Sequence, residues 1–566
     1  MNRVIVFVFI VAACLGASWG AYQATTSSPE PALSRYFPSG ALLYLQAKDF
    51  SALLSRWDNS DENRLWLKSN NYEVFSRSRL FLRLKDANTE FSKAAGVPTD
   101  ANLLRQVAGK QSALAIFDIG KLEFLYITRL PSASSMQSAL WQTRSKFETR
   151  SAGGVTFFLR RDPESQREVA FAVAGDYLLL ATREDLLAGA LQLMASGNVH
   201  SIEAEPWWSQ SVAAASTEGD LRMVLNLEKI VPSPYFRSYW VQQNITDMKQ
   251  YSAAISDLTL SGKEYREERV LLRKAPTTGD TSGGVGPVGV ADIVRLVPAQ
   301  TGVYETKANP SPADCVTLLE TKILAPHLGP GVAEKLAPQV ELTNGETGSS
   351  TDLETRIDQP PVKAAVAENT AASLRDLLAK NPVSAMLQVE STEQDKDGVF
   401  VRKHSALALL GQSEWNESTV RSALVDFVRP SLTTEDLGVE WQKNSGYVEL
   451  NGLWTLGVAV RGKYLLISDN PTLLTTMLVN ANQKTTIKPA VFVAGFDHQR
   501  EKDNFARLTG LLDRPAGGSG AGSTPNFFSD NIASLSSVLA GLSSEKIVIR
   551  DAGNTVSQTV TYEWAR

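Results

Sequence analysis

One stretch of this chain occurs twice, and that repetition constrains the fold more than any other feature. Residues 168–194 read EVAFAVAGDYLLLATREDLLAGALQLM and residues 455–481 read TLGVAVRGKYLLISDNPTLLTTMLVNA, aligning without a gap. Val173 meets Val460, Gly175 meets Gly462, Tyr177 meets Tyr464, and Leu178-Leu179 meet Leu465-Leu466, each pair 287 positions apart. Thr182 and Asp469 both stand where a helix N-cap belongs, because a short side-chain oxygen there accepts an unpaired backbone N–H. Behind them Leu186, Leu187, Ala190 and Leu191 recur as Leu473, Leu474, Met477 and Leu478, one apolar helical stripe written twice.

A second anchor lies upstream. Phe37-Pro38-Ser39-Gly40 is turn chemistry before the strand-like Ala41–Gln46, and Val297-Pro298 leads in the same way into Thr301–Glu305. Pro38 then matches Pro298 and Tyr44 matches Tyr304, both at an offset of 260. The offset grows by 27 residues between the anchors, which predicts an insertion in the second copy near 340–365, around Asn344-Gly345 and Pro360-Pro361. Both copies end on a hairpin, with Leu258 and Leu260 set against Ile547 and Ile549 at an offset of 289.

Between these anchors the alternation predicts strands at about 112–117, 122–129, 155–160, 168–174, 177–182 and 221–227. Helices are expected near 49–57, 133–148, 183–195, 206–216 and 235–254. The second copy offers a strand at 404–410, a helix at 416–429, the repeated block, a strand at 490–494, helical 526–542, and a hairpin of 546–550 with 555–564. Strands joined by short turns and interrupted by returning helices indicate an α+β fold of two related domains, each a largely antiparallel sheet with packed helices. A chain of 566 residues also exceeds what one hydrophobic core usually supports. The expected division is a signal or anchor at 1–21, a tether at 22–35, a first copy at 36–274, a linker at 275–291 and a second copy at 292–566.

After Met1-Asn2-Arg3, the segment Val4–Ala21 is apolar throughout. As a helix it would span roughly 27 Å, close to the bilayer's hydrocarbon thickness of about 30 Å. It reads as an uncleaved anchor, as a signal cleaved after Gly20, or, through Val11-Ala12-Ala13-Cys14, as a lipobox that leaves Cys14 lipidated. All three place the bulk of the chain in the periplasm, outside the cytoplasm. A formal net charge of −5 without clustered Lys and Arg argues against nucleic acid as a partner. The densest charged run, Lys263–Arg269, mixes signs and reads as the solvated face of a strand pair. Cys315, the one cysteine beyond Cys14, leaves no intramolecular disulfide in the body of the protein and reads as a buried hydrophobe on a helix beginning near Pro312.

The candidate chemistry reduces to structural roles. Gly284-Val285-Gly286-Pro287-Val288-Gly289 fits G-x-G-x-x-G, but it continues a linker and Pro287 removes an N–H. His200, His327, His404 and His498 are far apart and none has a metal-ligand spacing. Asp395-Lys396-Asp397-Gly398 begins like a calcium loop, yet its glycine comes early and no Glu closes it, so a hairpin turn is expected. No G-x-S-x-G elbow appears, and the Gly-Ser run at 517–523 fails the spacing. Trp207-Trp208, after Glu205-Pro206, reads as the start of a short helix capping the core. No catalytic, cofactor-binding or metal residue is assigned, and no cofactor.

The order of these elements resembles a bacterial family of exported proteins classed as a domain of unknown function. The resemblance rests on the Pro38–Leu45 opening, the block Ala170–Leu179, the capped helix after it, Pro206–Ala215 and the strand Arg222–Leu227. It covers most of 36–273 and, more faintly, 292–564, where the Trp-Trp helix is absent. It implies an envelope location and supplies no activity. The expectation is a non-catalytic, membrane-tethered envelope protein that binds another protein, a lipid or a cell-wall component. The alternatives are an extracytoplasmic hydrolase with its site between the copies and a carrier of an apolar ligand.

Overall fold

A computed structural model describes residues 31–564 apart from 69–71, 73–75, 78, 197–199, 235–247, 276–287, 300, 328–370, 395–400, 434–438, 483–487 and 505–541. The apolar segment 4–21, the insertion near 340–365, the 395–400 turn and the Gly-Ser run therefore lie outside the described residues, as do most of the helices expected at 235–254 and 526–542.

The first half carries β1 (Leu43–Ala47), β2 (Ser112–Asp118), β3 (Glu123–Arg129), β4 (Glu148–Ala152) and β5 (Val155–Arg161), then β6 (Glu168–Ala174), β7 (Tyr177–Ala181), β8 (Leu221–Leu225), β9 (Tyr251–Ser261) and β10 (Glu264–Arg273). The second half carries β11 (Val303–Ala308), β12 (Val383–Gln394), β13 (Val401–Gly411), β14 (Trp441–Lys443) and β15 (Val448–Asn451), then β16 (Thr455–Arg461), β17 (Tyr464–Ser468), β18 (Phe492–Asp497), β19 (Leu542–Asp551) and β20 (Thr555–Trp564). Among the described residues all strand pairings are antiparallel. The first half runs β4-β5-β6-β7-β3-β2-β1-β8-β9-β10 across the sheet. The second runs β14-β15-β16-β17-β13-β12-β11-β18-β19-β20, the same order strand for strand.

The register agrees with both sequence offsets. Tyr44 of β1 lies between Ala115 and Val224, and Tyr304 of β11 between Val389 and Gly495. Tyr177 of β7 lies between Arg129 and Ala174, and Tyr464 of β17 between Leu410 and Arg461. The closing hairpin departs from the expected match. Leu258 pairs with Glu267, the fourth residue of β10, and Ile549 pairs with Gln558, the fourth of β20, so Leu258 corresponds to Ile549 and not to Ile547. A two-residue slip keeps every side chain on its own face, so alternation alone cannot detect it.

β10 also pairs with β20, and the two halves thereby share one sheet. Glu268, fifth in β10, faces Thr559, fifth in β20, which sets an approximate two-fold axis through that pair. The run Lys263–Arg269 is therefore mostly strand inside the sheet, flanked on both sides. Its charges are matched along the strand, Glu267 with Arg269 and Glu268 with Arg266.

Helices cover both faces. In the first half Leu125, Ile127, Leu179 and Ala181 pack with Leu187 and Leu191 of the helix Glu184–Ser196, while Tyr126, Leu178 and Leu180 point the other way toward Leu103 and Leu140. In the second half Ala408 and Leu466 pack with Leu474 and Met477 of the helix Pro471–Asn480, and Leu407, Leu409 and Ile467 pack with Val420 and Leu424 of the helix Glu417–Leu432. Trp208, on the helix Pro206–Ala214, is buried against Tyr44 at 4.6 Å between ring centroids, the capping role expected of the Trp-Trp helix.

Several boundaries shift for local reasons. The helix expected at 133–148 breaks where Ser138 caps a new turn by accepting the Trp141 N–H, and β4 begins at Glu148. Residues 251–254 belong to β9, because Tyr251 and Ala253 alternate into the core, and Leu542 opens β19. Leu33 is fully buried in the turn Leu33–Tyr36, so the core begins before the tether was expected to end. The helix Val288–Val294 likewise starts inside the expected linker, with Val290 and Ile293 buried in the second half.

Candidate functional site

The cores are apolar and filled from both sides, so polar chemistry collects at the strand ends. A cleft of about 1180 Å³ opens where β3 begins and β7 ends. Its walls come from the β2–β3 turn, the β5–β6 turn, the start of the helix Glu184–Ser196 and the helix Arg79–Ala95. The Arg167 guanidinium donates to Glu90 Oε2 and to the Lys121 carbonyl, each at 2.6 Å. Arg183 donates to Glu123 Oε2 at 2.8 Å and to Asp185, and these two carboxylates, Asp185 foremost, push its guanidinium further above its ordinary range. Glu168 pairs with Arg161 and also accepts the Glu184 N–H at 3.0 Å, a carboxylate at the positive end of a helix. The result is a cleft in which opposite charges stand side by side.

The two residues expected as N-caps do something else. Thr182 Oγ1 accepts the Phe124 N–H and Asp469 Oδ1 accepts the Ser405 N–H, each at 2.8 Å, across equivalent strands. Both prolong the strand ladder by one side-chain bond. The cap of the helix Pro471–Asn480 is Asn470, whose side chain accepts from Leu473.

At this end of the second half the corresponding positions change character. His404 takes the place of Glu123, Asp469 that of Thr182 and Asn470 that of Arg183. Asp469 is almost wholly buried, with His327 Nε2 at 3.4 Å from Oδ2 and His404 Nδ1 at 3.9 Å from Oδ1. The His327 ring stacks on Trp454 at 4.1 Å, and His404 Nε2 lies 3.5 Å from Glu393. Sequence spacing hid this cluster, since its members come from separate elements. Among the described residues no group of three or more His, Cys, Asp or Glu side chains could hold a metal ion. Ser405 Oγ beside Asp469 is buried without a hydrogen-bond partner and sits within β13, away from any strand-to-helix elbow.

The remaining candidates fall where their neighbours explain them. Cys315 is buried on the helix Pro312–Leu319, and that burial pushes its thiol up to about 12. Gly289 lies on the helix Val288–Val294 where a Cβ would sit 3.2 Å from Ala385 and Ser384, so its role is close helix–strand packing; Gly284–Pro287 lie outside the described residues. His200 is exposed and its carbonyl accepts the Ser39 N–H, and His498 packs on Phe496. A second cleft of about 630 Å³ lies at the opposite strand ends of the second half, where Arg295 donates to the Tyr464 hydroxyl at 2.6 Å. Among the described residues no helix is long and apolar enough to cross a membrane.

No family model matches the chain, and no curated protein matches it. Among solved structures, crystal form I of TP0453 is similar at 12% identity and a TM-score of 0.25, over 44% of this chain and 79% of that one. Crystal form IV of the same protein is similar at 13% identity and a TM-score of 0.24, over 45% and 83%.

Proposed function

We propose that this is a non-catalytic cell-envelope protein, tethered by the apolar segment 4–21, whose two related domains arose by tandem duplication and act as one binding platform. The recurrence of the same ten-strand order in both halves supports the duplication. The apolar leader after Arg3 supports the envelope location with the body on the periplasmic side. The observation that carries the binding role is the cleft around Arg167 and Arg183, where each guanidinium is matched to carboxylates at hydrogen-bond distance. Such a surface suits a ligand bearing both charge signs, which exchanges partners with these pairs. Candidates are an envelope protein, a lipid headgroup or a cell-wall fragment, with no nucleic acid among them.

The test uses the purified full chain against envelope fractions, lipid vesicles and cell-wall fragments, beside an Arg167→Glu/Arg183→Glu variant. Retention of one class, lost in the variant, supports the proposal. Turnover of any substrate, abolished by a point change in the cleft, overturns it. The hydrolase alternative places its site between the copies, whereas the His327–Asp469 contact lies wholly within the second half and does not supply that site.

A further inference from the structure

The helical arm between β1 and β2 is built unlike the rest of the molecule. Its first helix, Phe50–Asp58, buries no residue, although it is amphipathic and well capped by Asp49. A chain of edge-on aromatic contacts, Trp66 to Tyr72 at 6.0 Å and Tyr72 to Phe81 at 6.4 Å, ties the helix Asp61–Leu67 to the start of the helix Arg79–Ala95. Outside that cluster the arm leaves Trp57 49%, Leu67 52%, Leu82 48% and Leu84 45% exposed. Leu84 lies on the same helical stripe as Ala87, Phe91 and Ala94, so this stripe extends beyond the core that covers its other end.

Charge distinguishes the arm as well. Residues 64–85 hold Arg64, Lys68, Arg77, Arg79, Arg83 and Lys85 against Glu73, while 50–63 hold Arg56 against Asp58, Asp61 and Glu62, so the arm 50–85 is net basic in a chain of net charge −5. A net basic arm that leaves Trp57, Leu67 and Leu84 exposed has the composition of an element lying in the interface of an anionic bilayer.

The chain's path places such a bilayer within reach. Arg129 at the end of β3 donates to the Pro31 carbonyl at 2.9 Å, and its N–H bonds Gln111. The neighbouring Lys110 carbonyl accepts the Phe50 N–H at the start of the arm. The entering chain and the arm therefore meet at one end of the sheet. Only residues 22–32 separate the apolar leader from Leu33, a reach of at most about 40 Å.

We infer that the helices Phe50–Asp58 and Asp61–Leu67 and the start of the helix Arg79–Ala95 dock on an anionic phospholipid bilayer, with Trp57, Leu67 and Leu84 entering the headgroup layer and Lys68 and Lys85 meeting lipid phosphates. This rests on the proposed membrane tether. Docking lays the first half against the membrane and fixes its orientation there, which the tether alone cannot do.

The test is spin labelling of the full chain, with Cys14→Ser, in vesicles of zwitterionic phosphatidylcholine alone or with phosphatidylglycerol. Labels are placed through Leu67→Cys, Leu84→Cys and, as a control in the second half, Leu453→Cys, which is 73% exposed. Flotation with neutral vesicles reads the tether separately: a chain that does not float there contradicts the tether, whatever the labels report. The expected result is lipid-phase oxygen accessibility at 67 and 84 in anionic vesicles only, lost in Lys68→Glu/Lys85→Glu, with 453 aqueous throughout. Aqueous labels at 67 and 84 in anionic vesicles on a floating chain overturn the docking. Labels shielded from both oxygen and aqueous quencher also overturn it, because they report a protein occupant.

Discussion

Arg273 and Asp551 form a two-pronged ion pair across the seam between the halves, with Nη1 to Oδ1 at 2.6 Å and Nη2 to Oδ2 at 2.8 Å. Arg273 ends β10 and Asp551 ends β19, so the bridge ties the last residue of one hairpin to the turn of the other. Hydrogen bonding from Arg273 holds the Asp551 carboxyl below its ordinary 3.8. A depressed folded value means the stabilisation is fully present above 3.8 and disappears as pH falls through the lower folded value. Asp551→Asn is expected to cost about 1–3 kcal/mol near neutral pH. It should also flatten the acid limb of stability, read as urea midpoints from about pH 6 downward. An acid limb identical to the parent's would contradict the assignment.

The two opening tyrosines solve one packing problem in different ways. Tyr44 stands beside Val224 and turns its ring onto Trp208, whereas Tyr304 lies over Gly495, where a Cβ would come within 2.3 Å of the ring. The second half has no Trp-Trp pair before β18 in its sequence, and the glycine supplies the space for the Tyr304 ring. Gly495→Val, which restores the first half's residue, is expected to destabilise the chain by about 1–3 kcal/mol through overpacking. Denaturant unfolding of the variant checks this, and an unchanged midpoint would contradict it.

Cys315 is expected to resist alkylation while the chain is folded, because burial holds its thiol protonated up to about 12. In a Cys14→Ser background, a thiol reagent at about pH 8 should leave Cys315 unmodified without denaturant and modify it stoichiometrically in strong guanidinium. Rapid labelling of the native chain would show the thiol to be accessible.

Asp469 and Thr182 serve the same backbone bond, and that equivalence is testable. Asp469→Leu leaves the Ser405 N–H without its acceptor and should cost about 1–3 kcal/mol. Asp469→Thr, which copies the first half, should recover most of that loss. If Thr rescues nothing, the two positions are not equivalent.

Much of this architecture was legible in the sequence because it is written twice. The offsets at Tyr44 and Tyr177 survive as strand register, since an aromatic flanked by alternating apolar residues marks both the strand and its face. The N-cap reading of Thr182 and Asp469 failed because a short polar residue before an apolar stripe suits two jobs, and only the neighbouring strand's N–H decides between them. β4 and β14 carry too few apolar residues to alternate visibly, and β15 alternates over only the four residues Val448–Asn451. The seam was hidden for the opposite reason: β10 is rich in charge, and its Arg266 and Arg269 are both partly solvated and paired along the strand, so its sequence does not mark the second strand beside it. The cluster at Asp469 draws His327 and His404 from positions with no shared spacing, so nothing short of the fold could assemble it.

The account as a whole depends on the two halves meeting about Glu268 and Thr559. Facing residues in an antiparallel pair hold their Cβ atoms about 4.5–5.5 Å apart and diagonal neighbours stand farther away, so a disulfide reads register directly. With Cys14→Ser, the double variant Glu268→Cys/Thr559→Cys is predicted to oxidise to an internally linked monomer, identified by the mass of the joined peptides. Glu268→Cys/Thr561→Cys is predicted to link far less. Failure of the first pair to close, or preferential closure of the second, would contradict the shared sheet and the symmetry drawn from it.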